Sequence, residues 1–118
     1  MIHGKIWGET RQLIANSFFE FHRIGFKAGY KCSEHLHKHK INYFYVESGT
    51  MIVRVWQDDQ GGLVDETILR AGEYTQVMPG KIHQFEGIED GVAFEVYWPE
   101  FSHDDIERRT FGTKVDNG

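Results

Sequence analysis

From residue 18 to residue 98 the chain is a succession of short strand-like runs, each closed by a turn, and no stretch is patterned as a long helix. That rhythm constrains the fold more than any other feature: short strands joined by tight turns close into an all-β barrel or jelly roll. The runs fall at 18–26, 43–47, 51–57, 63–70, 74–78, 83–85 and 92–98, preceded by a weaker one at 12–15. The turns between them include Asn16-Ser17, Ala28-Gly29, Ser48-Gly49, residues 58–62, Ala71-Gly72-Glu73, Pro79-Gly80 and residues 87–91. Thirteen glycines against two prolines suit such a chain. The run 51–57 alternates, with Ile52 and Arg54 opposed to Met51, Val53 and Val55. The run 18–26 is apolar on both parities, which predicts a strand at least partly covered on both faces, as where one sheet packs on another. Ser102 ahead of Asp104-Asp105 predicts one capped helical turn.

The 118 residues suffice for one compact domain with one core. The expected domain is therefore the whole chain, 1–118, with a short lead-in at 1–16 and a frayed tail from about 111 to 118. Formal charge is 13 − 18 = −5, which argues against nucleic acid as a partner, since no global basic field exists to neutralise phosphates. A single cysteine, Cys32, cannot form a disulfide within the chain and suits a reducing cytoplasm. No apolar run approaches the ~20 residues of a membrane span, and the N-terminus lacks the apolar region of a signal peptide. The expectation is a soluble, cytoplasmic domain.

Chemistry concentrates in Glu34-His35-Leu36-His37-Lys38-His39-Lys40-Ile41-Asn42, which holds three of the seven histidines. In an extended strand alternate side chains share a face, so His35 and His37 would stand roughly 7 Å apart along the backbone. Two imidazoles at that separation can meet one metal ion, and His83, following Pro79-Gly80, is the best further donor. His39 continues the same parity but falls where the chain must turn, and reads as a loop histidine.

These residues resemble the two motifs of the cupin family, small β-barrels that hold a metal in the barrel mouth. The first motif matches as Gly29, His35-Leu36-His37, Asn42 in the position usually held by glutamate, and Gly49. The second matches as Gly72, Met78-Pro79-Gly80 and His83, with Met78 where a proline is usual. The resemblance implies a double-stranded β-helix, or jelly-roll barrel, with His35, His37 and His83 as metal ligands on inward-facing strands. One divalent transition metal ion would be held there, drawn from Fe, Ni, Zn, Mn and Cu. Three imidazoles leave coordination positions open, which a catalytic site needs. Asn42 is either a fourth, neutral donor or a residue facing the substrate; in place of a carboxylate it leaves the ion its full charge.

Phe44, Val46 and Phe85 share the parity of Asn42 and His83 and are expected to wall the pocket. Glu95, Glu20 and His22 are candidate proton carriers if they face inward. Tyr43 and Tyr45 alternate with the pocket residues, so they are expected to face outward, toward a second sheet or the partner of a homodimer. Arg23, Lys27, Lys31, Lys38 and Lys40 cluster around the first motif and could steer a small anionic molecule to the mouth. Three functions follow: metal-dependent isomerase or epimerase chemistry on a sugar derivative, to which the resemblance leans; a three-histidine non-heme iron dioxygenase; or a non-catalytic module that binds a small ligand.

Overall fold

The computed structural model describes residues 2–57 and 62–99, together with Arg109 and Lys114. The described chain forms seven strands: β1 (Ile2–Lys5), β2 (Gly8–Ala15), β3 (Glu20–Phe26), β4 (Lys40–Trp56), β5 (Val64–Leu69), β6 (Tyr74–Val77) and β7 (Ile82–Pro99). The all-β jelly-roll class is the one observed. No helix among the described residues is long and apolar enough to cross a membrane.

Two long strands organise the rest. β4 and β7 pair antiparallel from Lys40↔Pro99 to Trp56↔Ile82, with breaks in register between Val46 and Met51. The first part of β4 also pairs with β6, and its second part with β5. The second part of β7 pairs with β3, which carries β2 and then β1. Both long strands thus bend midway and serve two halves of the barrel. Phe44, from the first part of β4, meets Phe85, from the first part of β7, with ring centroids 6.0 Å apart. Ile24, Phe26, Val46, Met51, Val53, Leu69, Val77 and Ala93 complete the buried core.

The turns expected at Ser48-Gly49 and at 87–91 do not end strands. At Ser48-Gly49 the pairing continues through bulges, which insert residues and sharpen the bend without breaking the ladder. Gly49 takes φ 78° there, in the left-handed region that glycine enters freely. A Cβ at Gly49 would also lie 2.5 Å from the carbonyl oxygen of Asp90, so the two bent strands touch backbone to backbone.

Other boundaries shift for local reasons. β3 starts at Glu20 because Asn16 Oδ1 accepts hydrogen bonds from the amides of Phe18 (2.8 Å) and Phe19 (3.0 Å), which makes an Asx turn of the preceding residues. β1 has no alternating pattern and is exposed throughout; it exists by pairing with β2. β4 and β5 pair as a hairpin with Trp56 opposite Val64; residues 58–61 of its connection, the helical turn expected after Ser102, and the tail apart from Lys114 lie outside the described residues. Tyr43 and Tyr45 lie on the outer side of β4, where Tyr43 stacks on Tyr74 at 5.4 Å.

Candidate metal centre

His35 and His37 are not on a strand. They lie on the connection from β3 to β4, and that connection is laid against the first half of β7 by isolated bridges. His35 stands directly opposite His83: the His35 amide donates to the His83 carbonyl at 3.1 Å, and the His83 amide returns the bond at 2.8 Å. The His37 carbonyl accepts from the Gly80 amide at 2.8 Å, which ties the end of the segment to the Pro79-Gly80 turn. Backbone pairing therefore sets the two motifs face to face, and the imidazoles follow.

The ligand-capable nitrogens of His35, His37 and His83 all lie within 4.8 Å of one another. Hydrogen bonds at the far side of two rings fix which nitrogen is free. His83 Nδ1 donates to the Lys81 carbonyl at 3.0 Å, and His35 Nδ1 to the Ser33 carbonyl at 2.9 Å. Each leaves Nε2 with its lone pair available, the arrangement by which a backbone carbonyl orients a metal-binding imidazole. His37 Nε2 is buried and without a hydrogen-bond partner. Burial holds the His37 ring below its ordinary pKa, aided by the charges of His35 and Lys40, and burial drives His83 down to about 4. Both rings are thus neutral near pH 7, the state in which imidazole binds metal. This donor set fits a divalent transition ion.

Asn42, on β4, is 1 % exposed and meets the cluster through its amide nitrogen. Nδ2 lies 3.1 Å from His83 Nε2 and 3.3 Å from Glu95 Oε2, while Oδ1 is buried without a partner. As oriented, then, its carbonyl oxygen is turned away from His83. An incoming ion would take the His83 lone pair from this amide, and rotation of the amide would present the orphaned oxygen instead. His39 is exposed on the bend before β4 and stands outside the cluster.

A cavity of about 250 Å³ opens beside His35, lined among others by Trp7, His22, Glu95 and Tyr97. Glu95 is buried, and desolvation lifts its carboxyl above the ordinary value against the opposing bonds from Tyr97 and Asn42. Tyr97 is raised as well, by burial and then by the neighbouring Glu95, so its phenol keeps its proton. The Tyr97 ring stands edge-on to His37 at 5.0 Å and to His22 at 5.7 Å. His22 also lies 3.5 Å from Glu20; Glu20 itself is partly exposed and stands outside the cavity wall.

Of the three residues expected to wall the pocket, Phe85 does so. Phe44 and Val46 do not line it: Phe44 packs behind His83, with centroids 6.4 Å apart, and Val46 sits wholly inside the core by the bend of β4. The five cations around the first motif do not line this cavity either. Lys40 places its ammonium 5.7 Å from the Tyr97 ring centroid and 4.0 Å from Glu20. Cys32 is on the wall, but burial pushes its thiol up to about 11, and Sγ accepts from the Phe85 amide at 3.2 Å, so it serves packing. Tyr97 was legible by its parity with Glu95 along β7; Trp7 had no sequence signal. A larger open cleft of about 570 Å³ lies by Gly25 and Gly91, away from the histidines.

Residues 22–99 match the Cupin domain family. This chain belongs to the cupin family. No curated protein sequence matches this cupin. Among solved structures it is similar to KdgF from Halomonas sp., at 14 % identity and TM-score 0.70 over 86 % of this chain and 89 % of that one. It is also similar to an RmlC-like cupin from Shewanella frigidimarina NCIMB 400, at 24 % identity and TM-score 0.66 over 89 % of this chain and 86 % of that one. The capsular polysaccharide assembling protein CapF from Staphylococcus aureus matches at 18 % identity and TM-score 0.74, over 89 % of this cupin and 30 % of CapF. At these identities the likeness speaks for the fold.

Proposed function

We propose that this cupin is a metal-dependent enzyme that moves a proton on a small, polar, anionic molecule, in the manner of a sugar isomerase or epimerase. The observation that carries the reading is the placement of Glu95, a buried carboxyl, in the wall of the cavity that also holds His35. A divalent ion on His35, His37 and His83 would supply Lewis acidity, and three neutral donors would leave it uncompensated charge to polarise a carbonyl.

The chain's own residues supply the rest. Glu95, its carboxyl raised above the ordinary value by burial, is the group on this wall suited to accept and return a proton. Asn42 and Tyr97 hold its oxygens in place. Tyr97 keeps its proton and can donate a hydrogen bond throughout. Trp7 and Phe85, packed edge-on with centroids 4.8 Å apart, give the cavity an apolar wall.

The test is metal analysis of protein purified without added metal, with His35→Ala as control, followed by deuterium exchange from solvent into candidate sugar derivatives. About one zinc, manganese or nickel per chain, lost in the variant, together with exchange that requires Glu95, is the expected result. Bound iron with oxygen uptake would replace this reading with the dioxygenase. Metal and ligand bound without exchange would replace it with a binding module.

A further inference from the structure

The N-terminal hairpin reaches the cavity with a cation. Lys5 ends β1, pairs with Gly8 across the hairpin, and lines the cavity together with His35, Glu95 and Tyr97. The hairpin corner is fastened to the barrel at three points. The Trp7 carbonyl accepts from the Lys27 amide at 2.9 Å, and the Trp7 ring packs on Phe85. Gly8, at φ 147°, presses so closely on β3 that a Cβ would fall 1.8 Å from the Gly25 carbonyl oxygen. Lys5 is thus held in place by its neighbours, while its own ammonium makes no ion pair among the described residues.

The charges facing Lys5 from the other elements are few. From β3 comes His22, beside Glu20; from the connection to β4 comes His35; from β7 comes Glu95, which burial favours in its neutral form. Among the described residues Lys5 is the sole lysine or arginine on the wall, and the one carboxyl there, Glu95, is engaged by Asn42 at 3.3 Å and forms no ion pair with Lys5. The space, about 250 Å³, lies just below the ~300–1,000 Å³ of drug-sized pockets.

We infer that Lys5 is the specificity residue of this cavity, binding the anionic group, carboxylate or phosphate, of a small hydroxylated molecule whose other end lies toward His35. The inference deepens the proposed function and rests on it. Thr10 and Ser33, also on the wall, offer hydroxyls to the polyol portion. A charge pair at this half-open mouth acts through a screened field, so the preference for anions weakens with salt.

The experiment is titration of the zinc-loaded full chain with glucitol, gluconate and glucitol 6-phosphate, with zinc content measured after dialysis against each probe. At low salt at least one anion is expected to bind about tenfold tighter than glucitol, a difference that rising salt erodes. In Lys5→Met the advantage is expected to fall below about threefold, with glucitol affinity and zinc content unchanged, and in Lys5→Arg to persist. Which anion loses affinity in Lys5→Met identifies the group bound. Anion preference that survives Lys5→Met, or is absent from the wild type, overturns the role of Lys5 while leaving the metal site standing. A wild type that holds no zinc overturns the metal reading, and the inference with it.

Discussion

Asn42 and Glu95, on neighbouring strands β4 and β7, form a buried amide–carboxyl contact of 3.3 Å in which the Asn42 Nδ2 also reaches His83. The pairing accounts for the amide in a position where the family motif usually has glutamate. A second carboxylate there would face Glu95 in a site with little water, and two such groups cannot both ionise cheaply. Asn42→Asp is therefore expected to lower the urea midpoint of the metal-free protein near pH 8. Zinc should then raise thermal stability by more than it does in the wild type, because the new carboxylate is an anionic donor beside His83. A zinc-induced shift equal to or smaller than that of the wild type would count against this placement of residue 42.

Glu95 itself makes stability fall with rising pH. Its folded pKa is raised above 4.5, chiefly by desolvation, so between 4.5 and the folded value the native state binds more protons than the unfolded chain. The contribution is complete below 4.5 and is lost as pH rises through the folded pKa. Glu95→Gln keeps an acceptor for Asn42 and cannot ionise. The metal-free variant should match the wild type near pH 4 and exceed it near pH 8 in urea denaturation. Equal midpoints at pH 8 would mean that the carboxyl is not desolvated.

His83 works in the opposite sense. Its folded pKa is lowered from 6.5 to about 4 by burial, so between those values the unfolded chain binds the extra proton. Stability from this group is present above 6.5 and is lost as pH falls toward 4, by up to about 3 kcal/mol in the metal-free protein. Bound metal should deepen the loss, since protons and the ion compete for the same nitrogen. Replacement by glutamine, His83→Gln, should flatten this acid limb while abolishing metal uptake. A variant that loses stability between pH 6.5 and 4 as steeply as the wild type would place the titration elsewhere.

The histidine cluster could be read from the chain because alternate spacing pairs His35 with His37 and the resemblance to the two cupin motifs adds His83. The route was less legible. His35 and His37 gain their extended geometry from bridges to β7, a pairing that local alternation does not encode. Val46 and Phe44 share parity with Asn42, yet the bend near Gly49 and the ring of His83 take them into the core instead of the cavity wall. Parity along a strand predicts the face and says nothing of depth. The placement of Lys5 and Trp7 at the cavity is not encoded locally, because residues 2–5 have no alternating pattern; it follows from Trp7 packing on Phe85, a contact between residues far apart in the chain.

The bend in β4 gives the sharpest test of the fold itself. Gly49 combines a left-handed backbone, φ 78°, with a site where a Cβ would sit 2.5 Å from the Asp90 carbonyl oxygen and 2.7 Å from the Gly91 Cα. The left-handed conformation costs an L-residue roughly 1–2 kcal/mol and the overpacking roughly 1–3 more, so Gly49→Ala should lose about 2 to 5 kcal/mol in urea denaturation. Because both long strands turn at this point, the damage should reach the histidines: β7 carries His83, and the segment holding His35 is paired to it. Zinc affinity is therefore expected to fall together with stability, although residue 49 is not among the potential ligands. Gly29→Ala serves as the comparison, since Gly29 shares a positive φ of 82° but has nothing within 4 Å of the added carbon; it should lose only the conformational part. Equal losses in the two variants would show that β4 and β7 do not meet backbone to backbone at the bend.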